Sequence, residues 1–359
     1  MIKKTLKNIF LNVGIVIISI IFAVFLIELI LLYFGPYKQL ASNKLKPSIS
    51  VYERPSNSYQ KQKHPDLNYI SEHYFDSDGV KNDNPRSIIA SKHKNIIGFF
   101  GDSMIENIFV DPKFNFVNML NNKIKSNHIA INFGIGGYSL DQIFLRYLKY
   151  SNLEFKYVFC YINPGDHVTR NIINFDDTGN FEIVPPKFNL FQKIIGKMNI
   201  SYFLIDIFYK LRAELYENHT EIDKKNYNKV LASRFYRQDY NLSKKNHYEF
   251  IKILKVFKSE VEKNNAKFIV LLYPDPNLIN FFKKELIKNK INIEYFVLDK
   301  DLMINDKLRF KNDGHWNEYG NLILSKNLIK LLSKNFVRFI DNDFSNIETE
   351  ILEFYKVNK

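Results

Sequence analysis

Short apolar segments alternate with helix-length amphipathic segments from about residue 95 to residue 335. Runs such as Asn95–Phe100 and Tyr157–Ile162 are too short for ordinary helices and have no polar face, which is typical of buried strands. Lys245–Lys263 instead repeats its apolar residues, among them Phe250 and Phe257, at helical spacing. Strands separated by helices predict a mostly parallel sheet that is covered on both faces.

The alternation comprises five strands and five clear helices. We predict strands at Asn95–Phe100, Ile129–Phe133, Tyr157–Ile162, Phe268–Tyr273 and Tyr295–Leu298, and helices at Phe114–Ser126, Ser139–Tyr150, Lys245–Lys263, 276–288 and Glu318–Ser333. Open sheets of this kind bind ligands outside the carboxyl ends of their strands. The loops that follow the strands are therefore where a site is expected.

A long apolar run precedes this domain. Val13–Phe34 contains 22 residues and a single charge, Glu28. About 20 apolar residues span the hydrocarbon core of a bilayer, and the run has neither the short core nor the cleavage site of a signal peptide. We predict a short tail at 1–12 and a transmembrane anchor at 13–34. Three lysines lie shortly before the run and three shortly after it, so the positive-inside rule orients the helix only weakly.

The segment at 35–94 is polar, contains four prolines between Pro47 and Pro85, and shows little periodicity. We predict a linker followed by an irregular lead-in to the domain. Within it, the stretch FDSDGVKND at 75–83 has the composition of a turn in which Gly79 takes a positive φ.

The domain itself is predicted at 95–335, with a helical insertion at about 170–247. The apolar stretch Leu190–Leu211 in this insertion is open to three interpretations: a lid over the site, a surface near the membrane, or a segment that simply packs on the domain. Residues 336–359 form a C-terminal extension for which the sequence suggests no function.

Composition excludes several classes of protein. The chain is 46% hydrophobic and 25% charged, which excludes a largely disordered protein. Its single cysteine, Cys160, excludes an internal disulfide framework and a multi-cysteine metal site. The net charge is +13, but the chain has no block of five consecutive basic residues. The codon bias of an A/T-rich coding sequence accounts for much of the lysine. We expect no nucleic-acid partner, no metal and no cofactor.

Glycine is scarce, with 13 residues in 359, so its position is informative. Eight glycines fall beside predicted strand ends: Gly98, Gly101, Gly134, Gly136, Gly137, Gly165, Gly314 and Gly320. Glycine at such places allows a backbone to approach a ligand closely, although ordinary strand-to-helix turns also use it.

Four blocks at these strand ends carry reactive groups. Block one, GDS at 101–103, offers a serine hydroxyl, which needs a base to act as a nucleophile; Asp and Ser are also common helix caps. Block two, NFGIGGYS at 132–139, offers backbone N–H groups to an oxyanion or to a phosphate. Block three is NPGD at 163–166. Block four, NDGHW at 312–316, pairs a histidine with a carboxylate, as a general base requires. Its tryptophan, Trp316, is the only one in the chain and is a candidate wall of a pocket.

The order of these blocks resembles the SGNH/GDSL hydrolase superfamily, and most of all its membrane-anchored bacterial branch. The likeness covers about residues 70–335. It implies a flavodoxin-like three-layer α/β/α sandwich with a central, mostly parallel sheet. It also implies acyl transfer from an ester to water, or sometimes to a sugar hydroxyl.

The resemblance implies a role for each matching residue. Ser103 would be the nucleophile, His315 the general base and Asp313 the acid that orients this base. The backbone N–H groups of Ser103 and Gly137 would line the oxyanion hole.

The chain departs from the family pattern at two positions. Gly165 stands where the family usually has an asparagine whose side chain donates to the oxyanion, and Asn163 is the candidate substitute. Asp313 lies two residues before His315 instead of three. This shorter spacing resembles the alginate O-acetyltransferase-like relatives and favours a role in polysaccharide acetylation.

Three functions remain open at this point. The first is a membrane-anchored serine esterase that removes acyl groups, foremost acetyl, from an envelope carbohydrate or lipid. The second is a polysaccharide O-acetyltransferase with the same triad. The third is a non-catalytic carbohydrate-binding protein with a degraded site, which Gly165 supports. The resemblance also implies a single-pass protein whose domain is periplasmic or otherwise extracytoplasmic.

Overall fold

The structure is a computed structural model of the 359-residue chain. It describes residues 2–33, 46–48, 51–54, 56–81, 95–125, 127–164, 173–176, 181–184, 244–311, 314–334, 339 and 343–358. The chain divides into two units, one formed by Met1–Lys44 with Lys187–Lys229 and the other by Leu45–Pro186 with Val230–Lys359.

The described part of the first unit is a single helix, α1, at Ile2–Tyr33. Its stretch Asn12–Ile30 is apolar and unburied, and it alone among the described helices is long and apolar enough to cross a membrane. An N-terminal signal sequence meets the same criteria, so α1 is a candidate membrane span.

The lead-in to the second unit contains two antiparallel strand pairs. These are β1 (Lys46–Ser48) with β2 (Val51–Glu53), and β3 (Ser58–Lys63) with β4 (Ile70–Phe75). The prediction of an irregular lead-in is therefore wrong for these residues. Strand β3 buries the polar residues Ser58 and Gln60, so its alternation carries no hydrophobic signal in the sequence.

The turn predicted after β4 is present. The side chain of Asp76 accepts hydrogen bonds from the N–H groups of Asp78 and Val80. Gly79 has φ +72°, as predicted, and a Cβ atom there would lie 2.7 Å from the carbonyl oxygen of Arg54. Glycine is therefore required both by the backbone conformation and by the close approach of the lead-in.

The remaining strands among the described residues are β5 (Asn95–Phe100), β6 (His128–Asn132), β7 (Phe155–Ile162), β8 (Ile173–Phe175), β9 (Phe181–Ile183), β10 (Lys267–Leu272) and β11 (Glu294–Val297). Five of them form a parallel sheet in the order β11-β10-β7-β5-β6. The five predicted strands of the domain are confirmed, with their ends within two residues. The connections reverse direction between β5 and β7, and ligands bind at such a switch point in open sheets.

In the described part of the second unit the helices are α2 (Ser103–Glu106), α3 (Phe116–Lys123), α4 (Leu140–Lys149), α5 (Lys244–Lys263), α6 (Pro276–Lys288), α7 (Asp301–Ile304), α8 (Glu318–Lys334) and α9 (Ser345–Val357). All five predicted helices are present. Helix α3 begins two residues later than predicted because Pro112–Phe114 forms a separate 3₁₀ turn and the Asn115 side chain caps α3. Helix α3 packs against α8, and α4 packs against α5.

The insertion predicted as helical begins with a strand pair instead. Strands β8 and β9 are antiparallel. Their apolar residues Ile173, Phe175, Phe181 and Ile183 alternate at the spacing of strands, and the last three pack against the core. The stretch Leu190–Leu211 lies outside the described residues.

Two of the glycines near strand ends have a packing role. A Cβ atom on Gly98 would lie 2.6 Å from the ring of Phe155, which packs across β5. A Cβ atom on Gly320 would lie 2.3 Å from the carbonyl oxygen of Leu308. Both glycines are required by close packing, which is the ordinary interpretation of such positions.

Candidate active site

Ser103 is the first residue of helix α2, directly after strand β5 ends. The side chain of Asp102 caps this helix by accepting the N–H of Met104 at 2.9 Å. Phe99 and Phe100 at the end of β5 are buried, so the strand end is firmly packed. The sequence GDS therefore places the serine at the carboxyl edge of the sheet, beside the switch point.

His315 meets this serine from a distant part of the chain. Its Nε2 lies 2.7 Å from Oγ of Ser103. With that nitrogen unprotonated, the serine hydroxyl donates to it, which is the contact that a general base makes with a nucleophile. The two residues are 212 positions apart, so only the fold brings them together.

The loop that carries His315 is held on both sides. The N–H of Phe310 donates to the carbonyl oxygen of His315 at 3.1 Å. The side-chain amide of Asn317 donates to the carbonyl oxygens of Lys307 and Arg309. These bonds fix the loop before α8 begins and so limit the freedom of the imidazole.

Trp316 lies in the core and does not line a pocket, so the prediction of a pocket wall is wrong. The residue is fully buried, and its indole N–H donates to the carbonyl oxygen of Leu302 at 3.3 Å. Tyr161 meets the indole edge to face, with ring centroids 5.6 Å apart. Tyr273 stacks on it at 6.5 Å. Trp316 therefore anchors the histidine loop, because its large apolar ring is most stable away from water.

Asp102 is a second carboxylate at the site, which the sequence suggested only as a helix cap. Burial raises the pKa of Asp102 to about 6, against the lowering effects of the Met104 N–H, the nearby His315 and the Asn163 amide. A negative charge here stabilises a protonated His315. No sequence signal shows which way this side chain points.

Asn163 follows strand β7 and reaches the site from the neighbouring strand. Its side-chain amide donates to Oδ2 of Asp102. The sequence suggested Asn163 as a substitute donor to an oxyanion, and the structure places its amide on the carboxylate next to Ser103.

The glycine loop after β6 packs directly against Ser103. A Cβ atom on Gly136 would lie only 3.4 Å from Cβ of Ser103. Gly137 has φ +76°, a conformation that favours glycine. The N–H of Ile135 donates to the carbonyl oxygen of Gly101 at 3.1 Å. Blocks one and two of the sequence are therefore neighbours in space.

A buried polar cluster contacts this loop, and the sequence did not predict it. Glu106 is fully buried at the end of α2, and its carboxylate accepts from Arg54 at 2.6 Å and from the N–H of Gly136 at 2.7 Å. Lys81 donates to the carbonyl oxygens of Glu106 and Asn107. Arg54 and Lys81 belong to the lead-in. Because they lie far from Glu106 in the sequence, no local pattern predicts these contacts.

The predicted acid Asp313 lies outside the described residues, as does Gly165, which stands where the family has a donor. Gly314 is described, and a Cβ atom there would meet nothing within 4 Å. Within the described ranges, no three His, Cys, Asp or Glu side chains are grouped so that they could hold a metal ion.

The raised pKa of Asp102 predicts a dependence of stability on pH. Its ordinary value is 3.8 and its folded value about 6, so between these values the folded state retains a proton that the unfolded state loses. This contribution to stability is present below pH 4 and is lost as the pH rises through 6. Relative to Asp102→Asn, the wild type should gain about 1 kcal/mol of unfolding free energy from pH 7 to pH 5. Chemical denaturation at the two pH values measures it, and identical pH dependences in both proteins would contradict it.

Comparison of the chain with protein-family models and with curated proteins found no match. A function for the chain is therefore inferred from the site geometry and from the resemblance of the four blocks. The geometry contributes a serine–histidine contact, a glycine loop beside it and a buried carboxylate next to the serine.

Proposed function

We propose that the protein is a membrane-anchored serine esterase of the SGNH type, acting on acyl esters, foremost acetyl esters, of an envelope carbohydrate or lipid. The observation that carries the proposal is the 2.7 Å contact between Nε2 of His315 and Oγ of Ser103 at the switch point of a parallel sheet. A serine hydroxyl is a weak nucleophile, and a histidine within hydrogen-bonding distance is what activates it.

A flavodoxin-like three-layer sandwich is part of the proposal. Numbered along the chain, the five strands of the sheet lie in the order 2-1-3-4-5, which is the flavodoxin-like order. Helices α3 and α8 pack together, as do α4 and α5. These two pairs would form the layers on opposite faces of the sheet.

The reaction would proceed through an acyl-enzyme. His315 takes the proton of Ser103 as Oγ bonds to the ester carbonyl carbon, and the carbonyl oxygen becomes an oxyanion. The ester C–O bond then breaks, and His315 returns the proton to the departing alcohol oxygen. Water, activated by the same imidazole, attacks the acyl carbon and releases the carboxylic acid together with free Ser103.

Two carboxylates would assist the imidazole. Asp313 would orient it and favour the tautomer in which Nε2 accepts the serine proton. Asp102, whose pKa is about 6, is mostly ionised at neutral pH and would stabilise the imidazolium through space. As the pH falls below 6, protonation of Asp102 would remove this assistance.

The oxyanion would be stabilised by the backbone N–H groups of Ser103 and Gly137. The family's side-chain donor is replaced by Gly165, and the amide of Asn163 is bonded to Asp102. Loss of one such donor typically lowers the rate by about 10²–10³. We therefore expect slow turnover compared with an enzyme that retains this donor.

A second candidate, transfer of the acyl group to a sugar hydroxyl, is favoured by the Asp-x-His spacing of Asp313 and His315. Hydrolysis and transfer share every step up to the acyl-enzyme. They differ only in whether water or an alcohol attacks it. Products formed from an acetyl ester in the presence of an oligosaccharide distinguish them, and purely hydrolytic turnover with a good acceptor argues against transfer.

The extracytoplasmic location is a proposal as well. It requires that α1 crosses the membrane with its N-terminus in the cytoplasm. A topology reporter fused to the C-terminus tests this, and a cytoplasmic signal from that reporter would contradict it.

An active-serine probe tests the proposed function directly. A fluorophosphonate reacts with a serine only when a base activates it. The full-length chain in detergent should be labelled at Ser103, while Ser103→Ala should not be labelled and His315→Ala should be labelled at least about 100-fold more slowly. An unlabelled wild type that still binds an oligosaccharide would favour the non-catalytic alternative.

A further inference from the structure

We propose that Glu106 is a positioning residue for the glycine loop 133–139, and that Arg54 holds its carboxylate in place for this purpose. The inference rests on the proposed function, because it assigns to Glu106 the task of fixing the loop that would bind the oxyanion. Neither residue belongs to the four sequence blocks that suggested the site. Glu106 follows block one by three residues.

The two carboxylate oxygens of Glu106 serve two different parts of the chain. Oε1 accepts from Nε of Arg54 at 2.6 Å, and Oε2 accepts from the backbone N–H of Gly136 at 2.7 Å. Glu106 is fully buried, and its side chain and that of Arg54 are 1% and 10% exposed. A buried carboxylate is tolerated only when it is paired and hydrogen-bonded, and these two partners supply both conditions.

Glu106 and the proposed nucleophile belong to the same short helix. Ser103 begins α2 and Glu106 ends it, and the N–H of Asn107 closes the helix on the carbonyl oxygen of Ser103 at 2.9 Å. A bond from Glu106 to the loop therefore sets the position of the loop relative to the serine. The space is tight, since a Cβ atom on Gly136 would lie 3.0 Å from Oε2 of Glu106 and 3.4 Å from Cβ of Ser103.

Arg54 is itself fixed by the lead-in. Its carbonyl oxygen lies against the Gly79 turn, and its guanidinium lies 5.4 Å from the ring centroid of Phe75. The residue before it, Glu53, pairs with Arg146 and Lys149 on helix α4. The lead-in thus supports the carboxylate through Oε1, the oxygen that does not bond to the loop.

This arrangement matters for catalysis because an oxyanion donor acts only within a narrow range of distance. Donors must lie about 2.7–3.1 Å from the oxyanion to stabilise it in the transition state. Gly137, the proposed donor, is the residue after Gly136, and glycine is the residue least restrained by its own side chain. A loop released from Glu106 would hold the donor less firmly, so kcat would fall while substrate binding changed little.

The decisive variant is Glu106→Gln in the full-length chain. Both partners of the carboxylate are donors, so a glutamine must direct its NH₂ group at either Arg54 or the Gly136 N–H, whichever way the amide is turned. We expect kcat for a small acetyl ester to fall about 10–100-fold with KM changed less than about 3-fold. Fluorophosphonate labelling of Ser103 should slow in parallel. The midpoint of the pH–rate profile should not move, because the base is untouched.

A matched control is Glu285→Gln, which removes a nearly buried carboxylate on α6 whose partners among the described residues are Lys288 at the end of the helix and Asn289, its C-cap. It should leave kcat, KM and labelling unchanged. Hydrogen exchange measured by mass spectrometry should show faster exchange in 133–139 for Glu106→Gln and not for Glu285→Gln.

Gly136→Ala provides a second route should Glu106→Gln fail to fold. Its Cβ atom would press on Oε2 and move the loop without removing the ion pair, so kcat should again fall with little change in KM. A wild-type kcat in either folded variant would overturn the positioning role while leaving the esterase proposal intact. A wild type without Ser103-dependent labelling or turnover would instead overturn the proposed function and the positioning role with it.

Discussion

Ser103→Ala should lower kcat/KM for a small acetyl ester by about 10⁴–10⁶, the largest effect expected of any single substitution in this chain. The reason is that Oγ of Ser103 is the atom that would bond to the acyl group, and alanine offers no replacement for it. The measurement is initial-rate kinetics on the purified full-length chain in detergent.

The same experiment has an internal test. Ser103 and His315 would act as a unit through their 2.7 Å contact, so the double variant Ser103→Ala/His315→Ala should be little worse than either single variant. Ser325→Ala is the matched control, because this buried serine on α8 donates to the carbonyl oxygens of Asn321 and Phe116. Turnover that survives Ser103→Ala would refute the serine mechanism.

Trp316→Ala should lower the free energy of unfolding by about 3–5 kcal/mol, the range for deleting a large buried aromatic side chain. Trp316 is fully buried between Tyr161 and Tyr273, and its indole N–H is bonded to Leu302. Because it follows His315 directly, the substitution should also reduce activity at temperatures where the protein stays folded. Chemical denaturation followed by far-ultraviolet circular dichroism measures the stability.

Trp316→Phe separates the packing from the hydrogen bond. It retains a ring against the two tyrosines and loses the indole N–H, so it should cost clearly less than Trp316→Ala, about 1–3 kcal/mol. A loss below about 1 kcal/mol for the alanine variant would show that the histidine loop does not depend on this anchor.

The elements of the central sheet were predictable because hydrophobic periodicity is a local property. Four of the five strands of the sheet bury apolar residues, the edge strand β11 is apolar but only half-buried, and each main helix has an apolar face, so pattern alone located their ends within a few residues. The lead-in was not predictable in this way, since β3 buries Ser58 and Gln60. Polar side chains in buried positions are identified only by the partners that satisfy them.

The candidate site was predictable in part for the same reason. Short blocks with glycine, serine and histidine marked the strand ends, and Ser103, His315 and the glycine loop do lie together. The prediction that Trp316 forms a pocket wall is wrong, because a lone tryptophan beside a histidine has the same sequence whether it faces a cavity or the core. Asp102 was seen only as a helix cap, since a side chain's direction depends on its surroundings.

By itself the sequence determined the alternation of strands and helices, an apolar N-terminal helix of membrane-spanning length, and the loops in which reactive residues occur. These properties follow from interactions between residues near one another in the chain. Tertiary structure decided the surroundings of Ser103. It placed the imidazole of His315 on the serine and the carboxylate of Glu106 between Arg54 and Gly136, and it buried Asp102 so that the pKa of this residue is raised. Burial and pairing across 30 to 212 positions set these features, and no local pattern encodes such distances.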